Sequence, residues 1–226
     1  MNPMVQLIAA TAVFLATHYV TSTPLRARLV VTLGQNGYLV LYSALAFATL
    51  GWMVWAYYRA PFMALWFAPG LRYVPLVVMP FSLILMVSGL LTRNPSLIGQ
   101  ERLLRSETPA RGILRVTRHP LMWGIALWAA AHVIARGDAA SVVFFGSFLL
   151  LALTGTVLID RRKRATLGAD WARFMQETSN IPFAAIASGR SRFSIAEIGW
   201  RRLAPAVLLY ALLLWLHPPL FGARPY

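Results

Sequence analysis

The chain has 226 residues, of which 58% are hydrophobic and only 12% charged. Soluble domains run nearer ~45–50% apolar and ~25% charged, so an ordinary soluble domain is excluded and a single membrane-embedded unit over residues 1–226 is expected. The formal net charge of +14 would suit nucleic acid, but the arginines flank apolar runs, where they orient helices and meet anionic headgroups; the expected partner is membrane lipid, and nucleic acid is excluded.

Six apolar stretches follow one another: Met4–Val20, Tyr38–Tyr58, Tyr73–Leu91, Leu121–Ala135, Ser141–Ile159 and Leu203–Leu216. A crossing takes about 20 apolar residues, with a range of about 17–25. The fourth and sixth are short, so they are expected to continue into their flanks or to enter the membrane only in part. The first has no Lys or Arg before it and no small-residue cleavage site after it, so it does not read as a signal peptide. The fold class is therefore all-α, a polytopic membrane helix bundle of about six transmembrane helices. The loops after the first, third and fifth stretches hold most of the basic residues, from Arg26 and Arg28 through Arg93–Arg118 to Arg161–Arg202; the other side holds Arg59, Arg72, Arg136 and Arg224. By the positive-inside rule the first group is cytoplasmic and both termini are periplasmic.

Ile98–Arg118 mixes Leu103, Leu104, Ile113 and Leu114 with charges and is expected to lie along the membrane surface. Asp160–Thr178 reads as a helix that extends the fifth stretch, breaks at Gly168 and restarts at Asp170 as N-cap. Ser194-Ile195-Ala196-Glu197 fits a capping box opening the approach to the last stretch. The acidic residues, Asp138 and Asp160 among them, fall in loops or surface helices, where solvated charge is expected.

Four histidines, His18, His119, His132 and His217, stand in segments otherwise almost free of ionisable side chains. Such rings near lipid are costly without a partner, which makes each a candidate for function. The chain has no cysteine, which removes disulfides, thiolate metal sites and covalent haem attachment. On one helix, His119 and His132 would be about 20 Å and about 140° apart, so they cannot hold the same metal. Depth pairs His18 with His119 and His132 with His217; longer first and fourth helices would instead allow a tilted His18/His132 pair. The aromatic neighbours Trp128 and Phe14 suit a flat apolar macrocycle or ordinary packing equally in kind, with packing the commoner. Arg118-His119-Pro120 opens a helix, where proline is tolerated and anions are favoured.

Several segments together resemble the NnrU family of bacterial membrane proteins: Thr17-His18 with Pro24-Leu25-Arg26, Gly112 through Gly124, Leu127-Trp128-Ala129-Ala130-Ala131-His132, and Asn180-Ile181-Pro182-Phe183. The resemblance implies a multi-pass protein of the bacterial cell inner membrane, associated with denitrification and its machinery through nitrite and nitric oxide. The chain is also similar to 15-cis-zeta-carotene isomerase, which implies haem b as cofactor with His18 and His132 as metal ligands. Arg118, Arg115 and His119 are candidate cofactor contacts, the two arginines for propionates by charge complementarity. Arg59 stands where the isomerase has a further histidine. A more distant likeness, to membrane methyltransferases of the isoprenylcysteine carboxyl methyltransferase type, rests on Arg118-His119-Pro120 and Leu167-Gly168-Ala169-Asp170-Trp171; it implies S-adenosylmethionine and a lipid substrate, although Asp160-Arg161-Arg162 replaces that family's paired glutamates.

Overall fold

The computed structural model describes residues 2–225. Among them the chain is helical, without strands: α1 Pro3–Tyr19, α2 Pro24–Arg59, α3 Val74–Leu91, α4 Ile113–Val116, α5 Pro120–Arg136, α6 Ala139–Glu177, α7 Ala184–Ala187, α8 Ile195–Ile198 and α9 Trp200–Phe221. Five helical segments are long and apolar enough to cross a membrane: Pro3–Ser22 (α1 extended by a 3-10 turn), α2, Pro69–Leu91 (a 3-10 turn leading into α3), α6 and α9. The molecule is a multi-pass membrane helix bundle, with large apolar side chains such as Phe47, Leu208 and Trp215 turned outward on the crossing helices, as lipid permits.

The sixth expected crossing is α5. Its 17 residues reach about 25 Å at about 1.5 Å each, less than a hydrocarbon core of about 30 Å. It starts with Pro120 and stops at Gly137, which takes the left-handed conformation (φ 64°). It lies between α3 and α6, its most extensive neighbours. The α3–α5 crossing is close because Gly89 and Gly124 face backbone: a Cβ on Gly124 would stand 2.8 Å from the Ser82 carbonyl oxygen, and one on Gly89 2.8 Å from the Leu121 nitrogen. Ser82 donates its hydroxyl to the Gly124 carbonyl at 2.7 Å. Small residues and hydroxyl bonds are what hold helices together where lipid removes the hydrophobic drive.

Two long helices change direction at glycine. Within α2, Gly34 takes φ 71°, so the apolar run from Tyr38 is preceded by a separate helical segment starting at Pro24. Within α6, Gly168 takes φ 50°, the break expected there. Asp170, expected to cap the restart, instead faces Arg105 at 3.7 Å.

The loops expected on one side do gather at one end. Arg162 donates to the Thr21 carbonyl at 3.2 Å, Lys163 binds Glu101 at 2.6 Å, and the Arg118 N–H donates to the Ser179 carbonyl at 3.0 Å. Ile98–Arg118 is not one continuous helix. It holds a short 3-10 turn, Glu101–Arg105, and α4, and it buries Leu104, Ile113, Leu114 and Val116 against Trp171, Phe174 and Ile198. A second cluster, with Leu7, Phe14, Met53, Phe144 and Phe145, fills the bundle between α1, α2, α5 and α6. Ser194 caps α8 by accepting from the Glu197 N–H at 3.3 Å. The Glu197 carboxylate leaves the box and accepts from the Gly112 N–H at 2.9 Å and from Arg115 Nε at 2.8 Å.

Candidate functional site

A cavity of about 670 Å³ opens among α2, α3, α5, α6 and α9, at the end of the bundle opposite the gathered arginines. That volume lies in the range of small-molecule sites, roughly 300–1,000 Å³. Its walls are aromatic and aliphatic, with Trp128, Phe145 and Phe148 prominent, and both His132 and His217 face it. The helical period of α5 puts Trp128 and His132 one turn apart on one face; their rings are 5.6 Å apart and Phe145 stacks on His132 at 5.0 Å.

Hydrogen bonding fixes the chemistry of these two imidazoles. His132 Nδ1–H donates to the Trp128 carbonyl at 2.8 Å, and His217 Nδ1–H donates to the Ala223 carbonyl at 2.8 Å. A neutral ring that donates from Nδ1 keeps a lone pair on Nε2, the form that ligates a metal. Neither Nε2 has a protein partner among the described residues. The neighbouring polar groups satisfy one another: the Tyr57 hydroxyl bonds Ser141 at 2.9 Å, Ser141 donates to Asp138 at 2.6 Å, and Tyr210 donates to the Leu76 carbonyl at 2.8 Å. Asp138 is thus no solvated loop acid. It is 2% exposed and caps α6 by accepting from the Ser141 N–H at 3.0 Å. No cluster of three or more His, Asp or Glu side chains able to hold a metal forms among the described residues.

His18, expected to pair with His132, does not line this cavity. Its Nδ1–H donates to the Phe14 carbonyl at 2.7 Å, leaving the same Nε2 lone pair, and its ring packs on Phe14 at 4.1 Å and near Tyr42 at 5.8 Å. From His18 the aromatic contacts run through Phe14, Phe148 and Trp128 to His132, with centroid separations of 5.3 Å between Phe14 and Phe148 and 5.3 Å between Phe148 and Trp128. At the cavity wall His132 could serve as a ligand to a flat apolar group. The imidazole sharing the cavity with it is His217.

The remaining expected contacts lie at the other end and are engaged by the chain itself. Arg118 grips Asp160 through Nε at 2.9 and 3.0 Å and through Nη2 at 2.5 Å, and His119 Nε2–H donates to Asp160 Oδ1 at 2.8 Å. Burial pushes His119 below the usual imidazole range, and Arg118 acts the same way, against the raising influence of the Asp160 carboxylate. His119 is therefore neutral near pH 7 and carries its proton on Nε2, the opposite tautomer to the other three. Asn94 and Ser96 close the cluster by donating to the Arg118 carbonyl at 3.1 and 2.9 Å. Arg115 is held by Glu197. Asp160, expected to be solvated, is the buried partner of both motif residues. The signal for it was a lone acid standing where the apolar run of α6 meets four successive cations, Arg161, Arg162, Lys163 and Arg164.

A family model described as "NnrU protein" matches residues 6–225. Two curated relatives are similar over a shorter segment. The chloroplastic 15-cis-zeta-carotene isomerase of Zea mays is 36% identical over 81 residues, 36% of this chain and 22% of that protein. Its counterpart in Arabidopsis thaliana is 38% identical over 79 residues, 35% of this chain and 22% of that protein. The matched segment thus spans about a fifth of each relative's length. No solved structure matches the chain.

Proposed function

The chain belongs to the NnrU family, and we propose that it is an isomerase-like membrane protein acting on a long apolar polyene at the cavity faced by His132 and His217. The observation that carries this reading is that cavity: aromatic walls within a membrane bundle and two imidazoles whose Nε2 atoms are left without protein partners. The activity named for the relatives, isomerisation of 15-cis-zeta-carotene, supplies the substrate class, a linear hydrocarbon with conjugated double bonds. Such a molecule is soluble in the bilayer and reaches an apolar pocket without crossing water.

Haem b is the cofactor we propose. His132 would hold its iron; the resemblance supplies His18 as a second ligand, and His217 is the partner that the cavity supports. When bound, the haem supplies an iron centre whose interaction with the conjugated electrons eases rotation about a double bond. The protein's own part is positional. Trp128, Phe145 and Phe148 exclude water, and the carbonyls of Trp128 and Ala223 orient the rings and hold their tautomers. Nitrite and nitric oxide metabolism at the bacterial inner membrane is the cellular setting we propose from family membership alone; a deletion strain with unchanged turnover of both would remove it.

The test is conversion of 15-cis-zeta-carotene by purified, haem-supplemented protein, read by separation of the isomers beside an absorption spectrum. Wild type is expected to convert the substrate and show a Soret band, and His132→Ala to lose both. His18→Ala and His217→Ala then identify the second ligand by which of them shifts the band. Equal conversion by wild type and His132→Ala would overturn the reading, and so would absence of conversion in reduced and oxidised wild type alike.

A further inference from the structure

A second cavity, of about 410 Å³, lies where α1 gives way to α2, beside α6. Its lining includes the hydroxyl residues Thr21, Ser22 and Thr23 and three arginines, Arg26, Arg161 and Arg162. We propose that this cavity binds a phosphate group, met in the membrane as the headgroup of an anionic phospholipid.

The argument starts from pairing. At this end of the bundle several cations are answered by carboxylates: Arg118 has Asp160, Lys163 has Glu101 and Arg115 has Glu197. Among the described residues Arg26, Arg161 and Arg162 have no acidic partner within 4.0 Å, although they line one cavity. Glu101, whose charge bears on Arg162, is already bound to Lys163. Three cations facing one space repel each other, and an anion entering it relieves that repulsion.

The backbone adds to the same field. Helix α2 begins at Pro24 after Thr23, and no side chain caps it. The Thr23 hydroxyl donates to the Val20 carbonyl at 2.8 Å instead, and that of Thr21 to the His18 carbonyl at 2.8 Å. Pro24 has no N–H and that of Arg26 donates to the Thr23 carbonyl at 3.2 Å, so in the first turn of the segment running from Pro24 to the break at Gly34 the N–H groups of Leu25 and Ala27 are left for an outside acceptor, with the helix dipole favouring an anion there. The arginines are held in place. Arg162 donates one N–H to the Thr21 carbonyl at 3.2 Å, and Arg26 lies over the Tyr38 ring at 5.6 Å. Each keeps further N–H groups for oxygens, and guanidinium matches phosphate geometry. The cavity lies where the first apolar span ends, at Ser22, with Leu25 and Val31 exposed beside it. This is the depth of a lipid phosphate, with its acyl chains beside apolar side chains.

The test uses the full chain in detergent with dioleoylphosphatidylglycerol or dioleoylphosphatidylcholine, and retained lipid is read by native mass spectrometry. Wild type is expected to keep phosphatidylglycerol in preference, on the order of tenfold for two engaged arginines. The double variant R26Q/R162Q is expected to lose the preference. R111Q/R192Q removes the same charge from exposed positions outside the cavity and is expected to keep it. Hydrogen exchange on wild type supplies a readout independent of any variant: amides of residues 21–27 are expected to slow with phosphatidylglycerol and not with phosphatidylcholine. Displacement by excess inorganic phosphate assigns the site to the phosphate group as such, and persistence assigns it to the lipid; either sustains the proposal. Equal retention of both lipids by wild type, unchanged exchange at residues 21–27, or equal loss of preference in the two double variants overturns it.

Discussion

His119 and Asp160 meet across 2.8 Å although 41 positions separate them in the chain, and Arg118 closes on the same carboxylate from its other side. The Arg118 and His119 side chains are 6% and 1% exposed and that of Asp160 is 11%. Two residues that open α5 are thereby tied to the middle of α6, and through Asn94 and Ser96 to the segment after α3. The 17-residue helix between α3 and α6 is anchored by charge at its entry.

Asp160→Asn should therefore be severe. It leaves the Arg118 guanidinium buried without its counter-charge, a loss of about 3–5 kcal/mol for a broken buried pair. Replacing both residues by apolar ones, R118M/D160L, should cost much less. Thermal melts of the detergent-solubilised protein check this; an Asp160→Asn melt superimposed on wild type would show that the pair holds nothing.

The lowered affinity of His119 for a proton makes stability depend on pH. In the unfolded chain this histidine titrates near the ordinary value of about 6.5; in the fold, burial keeps it neutral to lower pH. The unfolded state then binds more protons as pH falls, so the contribution is complete above the ordinary value and declines below it, ending once the folded group also titrates. His119→Gln, which does not titrate, should flatten the dependence below pH ~6.5. Melting temperatures of the two proteins with the same slope in that window would contradict this.

Glu197 should matter less. Its carboxylate lies below the usual range, first because the Gly112 N–H donates to it and then because of Arg115, while partial burial opposes them. Its side chain is 39% exposed, so water and salt screen the pair. Glu197→Gln is expected to cost no more than about 1 kcal/mol. The deficit should shrink in high salt, a comparison that melts at two ionic strengths make directly.

Gly124→Ala tests the α3–α5 crossing. The added carbon meets the Ser82 carbonyl oxygen and, at 2.9 Å, the Met86 nitrogen, both backbone atoms, so the helices themselves must separate. Overpacking of this kind costs about 1–3 kcal/mol. Gly146→Ala, where nothing stands within 4 Å, is the matched control and should be neutral or slightly stabilising; equal melts for the two variants would show that the crossing is not tight.

Much of the bundle is legible along the chain because lipid forces a simple rule. Unbroken apolar runs become helices, so Tyr73–Leu91 and α3 differ by one residue at their start, and Gly168 breaks α6 because no capping or packing rescues a helix there. The Gly34 break was not legible. Arg26–Gly37 is too polar to read as a crossing, so no helix was expected there for Gly34 to interrupt. The burial within Ile98–Arg118 was not legible because its apolar residues lack a helical period; they are buried one by one against Trp171 and Phe174 rather than along one stripe. At the candidate site the imidazoles themselves were visible, as rare polar rings among apolar residues. Which of them share a cavity was not, since that depends on how α5 and α9 turn about their axes, and residue spacing along either helix carries no information on it. Asp160 was hidden for a related reason: a carboxylate among cations reads as solvated until its long-range partners are in place.

Between Phe145, which stacks on His132, and Asp160, which holds His119, α6 runs without a break. The fifteen steps from one to the other span roughly 22 Å. The wall of the membrane chamber and the acid of the ionic clasp thus belong to one unbroken helix, so that a tilt or slide of that helix moves both.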